Sequence, residues 1–119
     1  MNFLIDLIIA CVAFEHVYFM ILEMFFWDKP LGLKSFGLTK DFAEQTKVLA
    51  FNQGLYNGFL AAGLIWALMS ENNKEQIALF FLICVVFAGI IGAYSTKKAK
   101  IFYIQSIPAL IGLIFILLF

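Results

Sequence analysis

The sequence predicts an all-α fold, a four-helix transmembrane bundle with an interfacial segment between its first and second helices. Four apolar stretches carry that prediction, at about 3–27, 48–69, 77–95 and 101–119. Each has the roughly 17–25 residues that cross about 30 Å of hydrocarbon as a helix. Composition agrees. Of 119 residues, 64% are hydrophobic and 13% charged, where soluble domains run nearer half and a quarter. Fifteen phenylalanines are more than one small water-soluble core can hide, so lipid is the solvent for much of the surface. Residues 1–119 read as a single membrane domain.

The first stretch lacks a lysine-rich start and a small-residue cleavage motif, and glutamates interrupt it. It reads as a retained span and not as a cleavable leader. Backbone groups in lipid must be paired within their own segment, so every span is helical. After it, residues 28–47 interleave charges with Leu31, Leu33, Phe36, Leu38 and Phe42. That pattern predicts a turn at Lys29–Pro30 and then a segment lying on the membrane surface. Asp41 followed by Glu44 resembles a capping box, so the second helix is expected to start near Asp41, outside the hydrocarbon. Residues 70–76 form a short turn in which Asn73 and Gln76 again resemble a cap, and residues 96–100 form a tight basic turn. In the fourth span Pro108 lacks an amide donor, which predicts a loosened turn near Ile104–Gln105.

Seven of the eight lysines lie in the first and third connections, at 29, 34, 40, 47, 97, 98 and 100; Lys74 is alone in the second. The positive-inside rule then places those two connections in the cytoplasm and both termini outside a plasma (bacterial inner) membrane. Net charge is zero and arginine is absent, so nothing points to nucleic acid, whose recognition draws on basic, bidentate side chains. Cys11 and Cys84 sit within apolar spans and are expected to be buried thiols that act as small hydrophobes. There is one histidine and no paired-cysteine motif, which leaves no metal site and no cofactor in the reading.

Ionisable and polar groups nevertheless lie inside these spans. His16, Met20, Glu23 and Trp27 follow i, i+4, i+7 and i+11, one helical face, with Glu15 beside it. In the second span Asn52 and Tyr56 are four apart, as are Gln53 and Asn57. Gln105 and Ser106, with Tyr94 and Ser95, are placed to close a ring around them. Charges at membrane depth cost a few kcal/mol each and mark functional sites. Glu15, His16 and Glu23 are therefore the candidate catalytic residues, because a carboxyl and an imidazole exchange protons effectively. Trp27, Asn52, Gln53, Tyr56, Asn57 and Gln105 are the candidate ligand-binding residues. A structural reading competes, in which the same groups hold the helices together. Gly54 and Gly58, Gly89 and Ala93, and Ala88 and Gly92 repeat the small-residue spacing that lets helices approach closely. Packing within the chain is favoured over dimerisation there.

The strings from His16 to Trp27 and from Asn52 to Leu64 resemble the domain of unknown function 1304 family, small four-span membrane proteins of bacteria and some fungi. The resemblance covers essentially the whole chain. It implies an integral membrane protein and no particular activity. The family's marked positions fall on His16, Glu23, Trp27, Asn52, Gln53, Tyr56 and Asn57, the same stripe. Three functions stay open: binding or proton-transfer chemistry on a hydrophobic small molecule, a proton-coupled transporter working as a homo-oligomer, and a structural membrane subunit.

Overall fold

In the computed structural model, which describes residues 2–119, the chain is all-α. Its elements are α1 (Asn2–Phe25), α2 (Pro30–Phe36), α3 (Lys40–Met69), α4 (Lys74–Thr96), a short α5 (Ala99–Ile101), a π-helical segment (Phe102–Ser106) and α6 (Ile107–Leu118). Among the described residues four helices are long and apolar enough to cross a membrane: Phe3–Phe25, Lys40–Met69, Lys74–Thr96 and Ala99–Leu118. The chain is a multi-pass membrane protein.

Contacts divide it into two compact units. The first comprises residues 1–13 and 62–119, the second residues 14–61. In the first, parts of all four long helices form an apolar bundle. Ile5, Ile9 and Val12 from α1, Leu64 and Ala67 from α3, Leu82 and Val85 from α4, and Ala109 and Ile116 from α6 are buried in it. Small residues set its spacing. A Cβ on Gly112 would stand 3.1 Å from side-chain carbons of Ile8 and Leu82, and one on Gly63 would overlap the Phe81 ring. Of the positions singled out by their spacing, Gly89 faces Ser106 and Gly92 faces Ile101 within this same unit. Asp6 of α1 and Lys74, the first residue of α4, form an ion pair at 3.0 Å.

The loosened turn before Pro108 is present as the π-helical segment Phe102–Ser106. Proline cannot donate to the carbonyl four residues back, and a wider turn accommodates the missing bond. Ser106 is buried there, and its hydroxyl donates to the Val86 carbonyl at 2.9 Å. Gly89 lies directly against that hydroxyl.

Several local expectations are corrected. The cap of α3 is Thr39, whose hydroxyl accepts from the Phe42 amide at 3.2 Å, and not Asp41. Asn73 precedes α4 without a side-chain cap bond, and the Ser70 hydroxyl accepts from its amide at 3.2 Å instead. Cys11 and Cys84 are free thiols, but Cys11 is exposed, not buried; in a spanning helix that surface meets lipid. Tyr94 is exposed and the Ser95 hydroxyl turns back to the Gly92 carbonyl on its own helix, so neither closes a polar ring. The segment between the first two spans contains the short helix α2, ended by Gly37 in the left-handed region at φ 63°.

Candidate functional site

The second unit has a different interior. α1 from residue 14, α2, and α3 up to residue 61 enclose Leu22, Ala43, Ala50 and Ala61, but also His16, Glu23 and Asn57. Three of its buried side chains are therefore polar, in a segment of membrane-spanning composition. They are positioned by a close contact of α1 with α3. A Cβ on Gly54 would lie 3.1 Å from the Met20 carbonyl oxygen and 3.2 Å from Glu23 Cβ, and one on Gly58 would lie 2.8 Å from Met20 Sδ. Only glycine permits that approach, and it brings Asn57 within reach of Glu23.

Asn57 Nδ2 donates a hydrogen bond to Glu23 Oε1. Both side chains are at least nine-tenths buried. Two turns back along α1, His16 is fully buried and its ring meets Phe19 edge-on, with centroids 5.6 Å apart. Beside it stands Glu15, with Oε1 4.0 Å from His16 Nδ1. That separation exceeds a hydrogen bond. Glu15 Oε1 is enclosed and has no hydrogen-bond donor among the described residues. Buried polar atoms in folded proteins are paired in more than nine cases in ten, so this oxygen stands out, together with Asp28 Oδ1 near the end of α1.

Trp27 ends the site toward the membrane surface. Its indole nitrogen donates to Thr46 Oγ1 at 3.0 Å, and that hydroxyl donates onward to the Phe42 carbonyl at 2.7 Å. The ring also lies 4.9 Å from Phe36 of α2. The next residues form a second clasp, Lys47 Nζ donating to Asp28 Oδ2 at 3.1 Å. The Lys47 ammonium holds the Asp28 carboxyl below its ordinary value of 3.8, by hydrogen bonding first. An indole and an ion pair both belong at the lipid–water boundary. Glu15 is ten residues from the C-terminal end of the apolar helix Phe3–Phe25, about 15 Å along it and so near its middle.

The predicted residues thus fall into three groups. Glu15 with His16, and Glu23 with Asn57, form two separate pairs in the second unit, and Trp27 bonds to Thr46 and packs on Phe36. Asn52, Gln53 and Tyr56 lie on the exposed face of α3. Gln105, half-buried, belongs to the first unit, in the π-helical segment. Thr46 and Lys47 escaped the sequence reading, although Trp27–Thr46 and Asp28–Lys47 share one spacing of nineteen residues. Matching polar pairs across a surface-lying loop were the available signal. Two cavities lie in the first unit. One of about 340 Å³ is bordered by Asp6, Glu71, Lys74 and Glu75. The other, of about 230 Å³, is lined by Leu7, Cys11, Pro108 and Ile111. Neither is lined by a residue predicted for the site. Among the described residues no group of three or more His, Cys, Asp or Glu side chains is arranged to hold a metal ion.

Residues 10–117 match the family described as protein of unknown function (DUF1304). The chain is also 31% identical over 116 residues to the uncharacterized protein YpaA of Lactococcus lactis subsp. lactis (strain IL1403), covering 96% of this chain and 97% of that protein. No solved structure matches.

Proposed function

The chain belongs to the DUF1304 family of proteins of unknown function, and for this member of it we propose a site that binds a hydrophobic small molecule carrying a hydroxyl or amine and exchanges protons with it through Glu15 and His16. The observation that supports it is Glu15 Oε1, enclosed without a donor and 4.0 Å from the imidazole. A donor group on a ligand completes the bonding of that oxygen. A carboxylate that takes a proton from one carbon while an imidazolium gives one to a neighbouring position rearranges a double bond and leaves a carboxylic acid and a neutral imidazole; return of the proton from acid to imidazole resets the pair, the balance of an isomerisation. In hydrocarbon, exchange between the two groups also spares the cost of holding separate charges.

Access from the bilayer fits the surroundings. Glu15 retains 24% side-chain exposure, and Phe14 and Tyr18 on either side of it are exposed. A molecule dissolved in lipid reaches the carboxyl between those rings without crossing water. Glu23 has a different part. Its Oε1 already accepts from Asn57, so it holds the helix contact below the site and does not itself meet the ligand.

Extraction of the protein in its native lipid, followed by mass spectrometry of retained small molecules, tests this. Wild type is expected to carry an apolar hydroxyl- or amine-bearing compound that falls about tenfold in Glu15→Ala, the loss of one or more kcal/mol of binding. Lys47→Met, which touches only the surface clasp, should keep it. Identical small-molecule sets in wild type and Glu15→Ala would remove the proposal.

The lysine asymmetry supports an orientation with both termini outside the plasma membrane. Single cysteines introduced at Ser70 and Lys98 in a Cys11→Ala, Cys84→Ala background should then label from outside and inside respectively. Labelling of residue 70 from the cytoplasm would reverse the assignment.

A further inference from the structure

The exposed face of α3 carries polar groups that membrane depth does not tolerate alone. Asn52, Gln53 and Tyr56 are all exposed, and none of them makes a hydrogen bond among the described residues. The Tyr56 ring meets the Phe59 ring, 5.9 Å between centroids. Their depth follows from the clasp. Lys47 is held at the surface by Asp28. Asn52 is five residues further along the helix and Tyr56 nine, about 8 Å and 14 Å into a hydrocarbon layer of about 30 Å. Two primary amides and a phenol facing acyl chains forfeit every hydrogen bond they would make in water.

We propose that this face is the interface at which two copies of the chain associate in the membrane, through Asn52, Gln53 and Tyr56. Three features favour a second copy over a different occupant. An amide carries both donors and an acceptor, and a phenol carries one of each. A two-fold axis therefore presents each group with a complementary partner from the same set. The face is also uncharged: from Val48 to Ala61 the helix carries no Asp, Glu, Lys or Arg. An oppositely charged partner would gain nothing there, whereas an identical neutral surface matches it. Finally, the glycine stripe of the same helix is already used. Gly54 and Gly58 receive Met20 and Met24 of α1, so association falls to the polar side of α3. Polar contacts of this kind between membrane helices contribute about 0.6–2 kcal/mol each, and a symmetric pair forms them twice. The inference stands apart from the Glu15–His16 site, whose residues lie on α1 and not on this face of α3.

Two measurements test it. In the cysteine-free background, Leu49→Cys lies exposed on the same face and leaves all three polar groups intact, while Phe87→Cys is exposed on α4. Mild oxidation in liposomes should cross-link Leu49→Cys into a species of twice the 13.5 kDa chain mass and leave Phe87→Cys uncross-linked. Energy transfer between labelled chains, diluted with increasing lipid, should show dissociation raised about tenfold or more in Asn52→Leu with Gln53→Leu. Removal of amides from a lipid-facing surface leaves the fold intact, so the same variant keeps the wild-type thermal midpoint at lipid ratios where both are monomeric. Equal cross-linking at both cysteines overturns the proposal. So does wild-type dissociation unchanged by the double substitution, or a monomer at every lipid ratio.

Discussion

Replacement of Gly32 by alanine is expected to destabilise the protein by about 3 kcal/mol, the upper end of the range for overpacking. An added Cβ would overlap the Phe26 carbonyl oxygen and fall 2.8 Å from that of Trp27. These are backbone atoms in the turn after α1, and no side chain is available to rotate aside. Helix α2 has to withdraw, and it carries Phe36 away from Trp27. The indole then loses its packing, and the Trp27–Thr46 hydrogen bond that joins α1 to α3 loses its support. Gly37→Ala, in the same loop, provides the comparison. There φ is 63° and the clash is conformational, costing about 1–2 kcal/mol. Thermal melts in one detergent should rank Gly32→Ala clearly below Gly37→Ala. Equal midpoints would mean that α2 does not rest on the turn.

The second large effect concerns Asn57. Asn57→Leu keeps the number and branching of side-chain heavy atoms but removes the donor to Glu23 Oε1, which is buried. A buried acceptor left unpaired costs about 1–3 kcal/mol. A neutral polar pair between membrane helices averages only about 0.6 kcal/mol. The difference is that one partner here is a carboxyl with no water to turn to. Joint replacement of Glu23 and Asn57 by leucine should recover most of the loss, since removing both partners leaves nothing unpaired. A double-mutant cycle on thermal or denaturant stability reads this directly. Additive losses in the double variant would show that the two side chains do not act as a pair.

Much of the architecture was legible because a bilayer restricts the options. Length and apolarity alone locate four helices, and Pro108 alone locates the widened turn ahead of it. The extension of α3 below the hydrocarbon was also readable from the charges before Val48, although Asp41 and Glu44 imitate a cap that Thr39 supplies. Side-chain partners were harder. One face of α1 announces His16 and Glu23, but spacing does not say which side chain of α3 answers Glu23. The close approach at Gly54 decides that, by setting the axial register of the two helices.

Helical rotation explains the other gap. At about 100° per residue, Asn52 and Asn57 are separated by about 140° around α3. A sequence reading that gathers Asn52, Gln53, Tyr56 and Asn57 into one patch spans more of the helix than one neighbour can cover. Asn57 turns inward to Glu23 while the other three face out. Residues grouped by proximity along the chain therefore divide between an interior contact and an exposed surface. The clasps Trp27–Thr46 and Asp28–Lys47 were illegible for a related reason, because each depends on how the loop 28–39 folds back between them.

The site account rests on Glu15 and His16 acting on one another near the middle of their helix. His16 is the chain's single histidine, so its ring nitrogens give one unambiguous pair of signals in protein labelled with ¹⁵N-histidine and held in lipid. Substitution of Glu15 by glutamine should move the His16 Nδ1 resonance, while the same change at Glu23, which is bonded to Asn57, should leave it in place. A His16 spectrum that superimposes on wild type in Glu15→Gln would contradict the account.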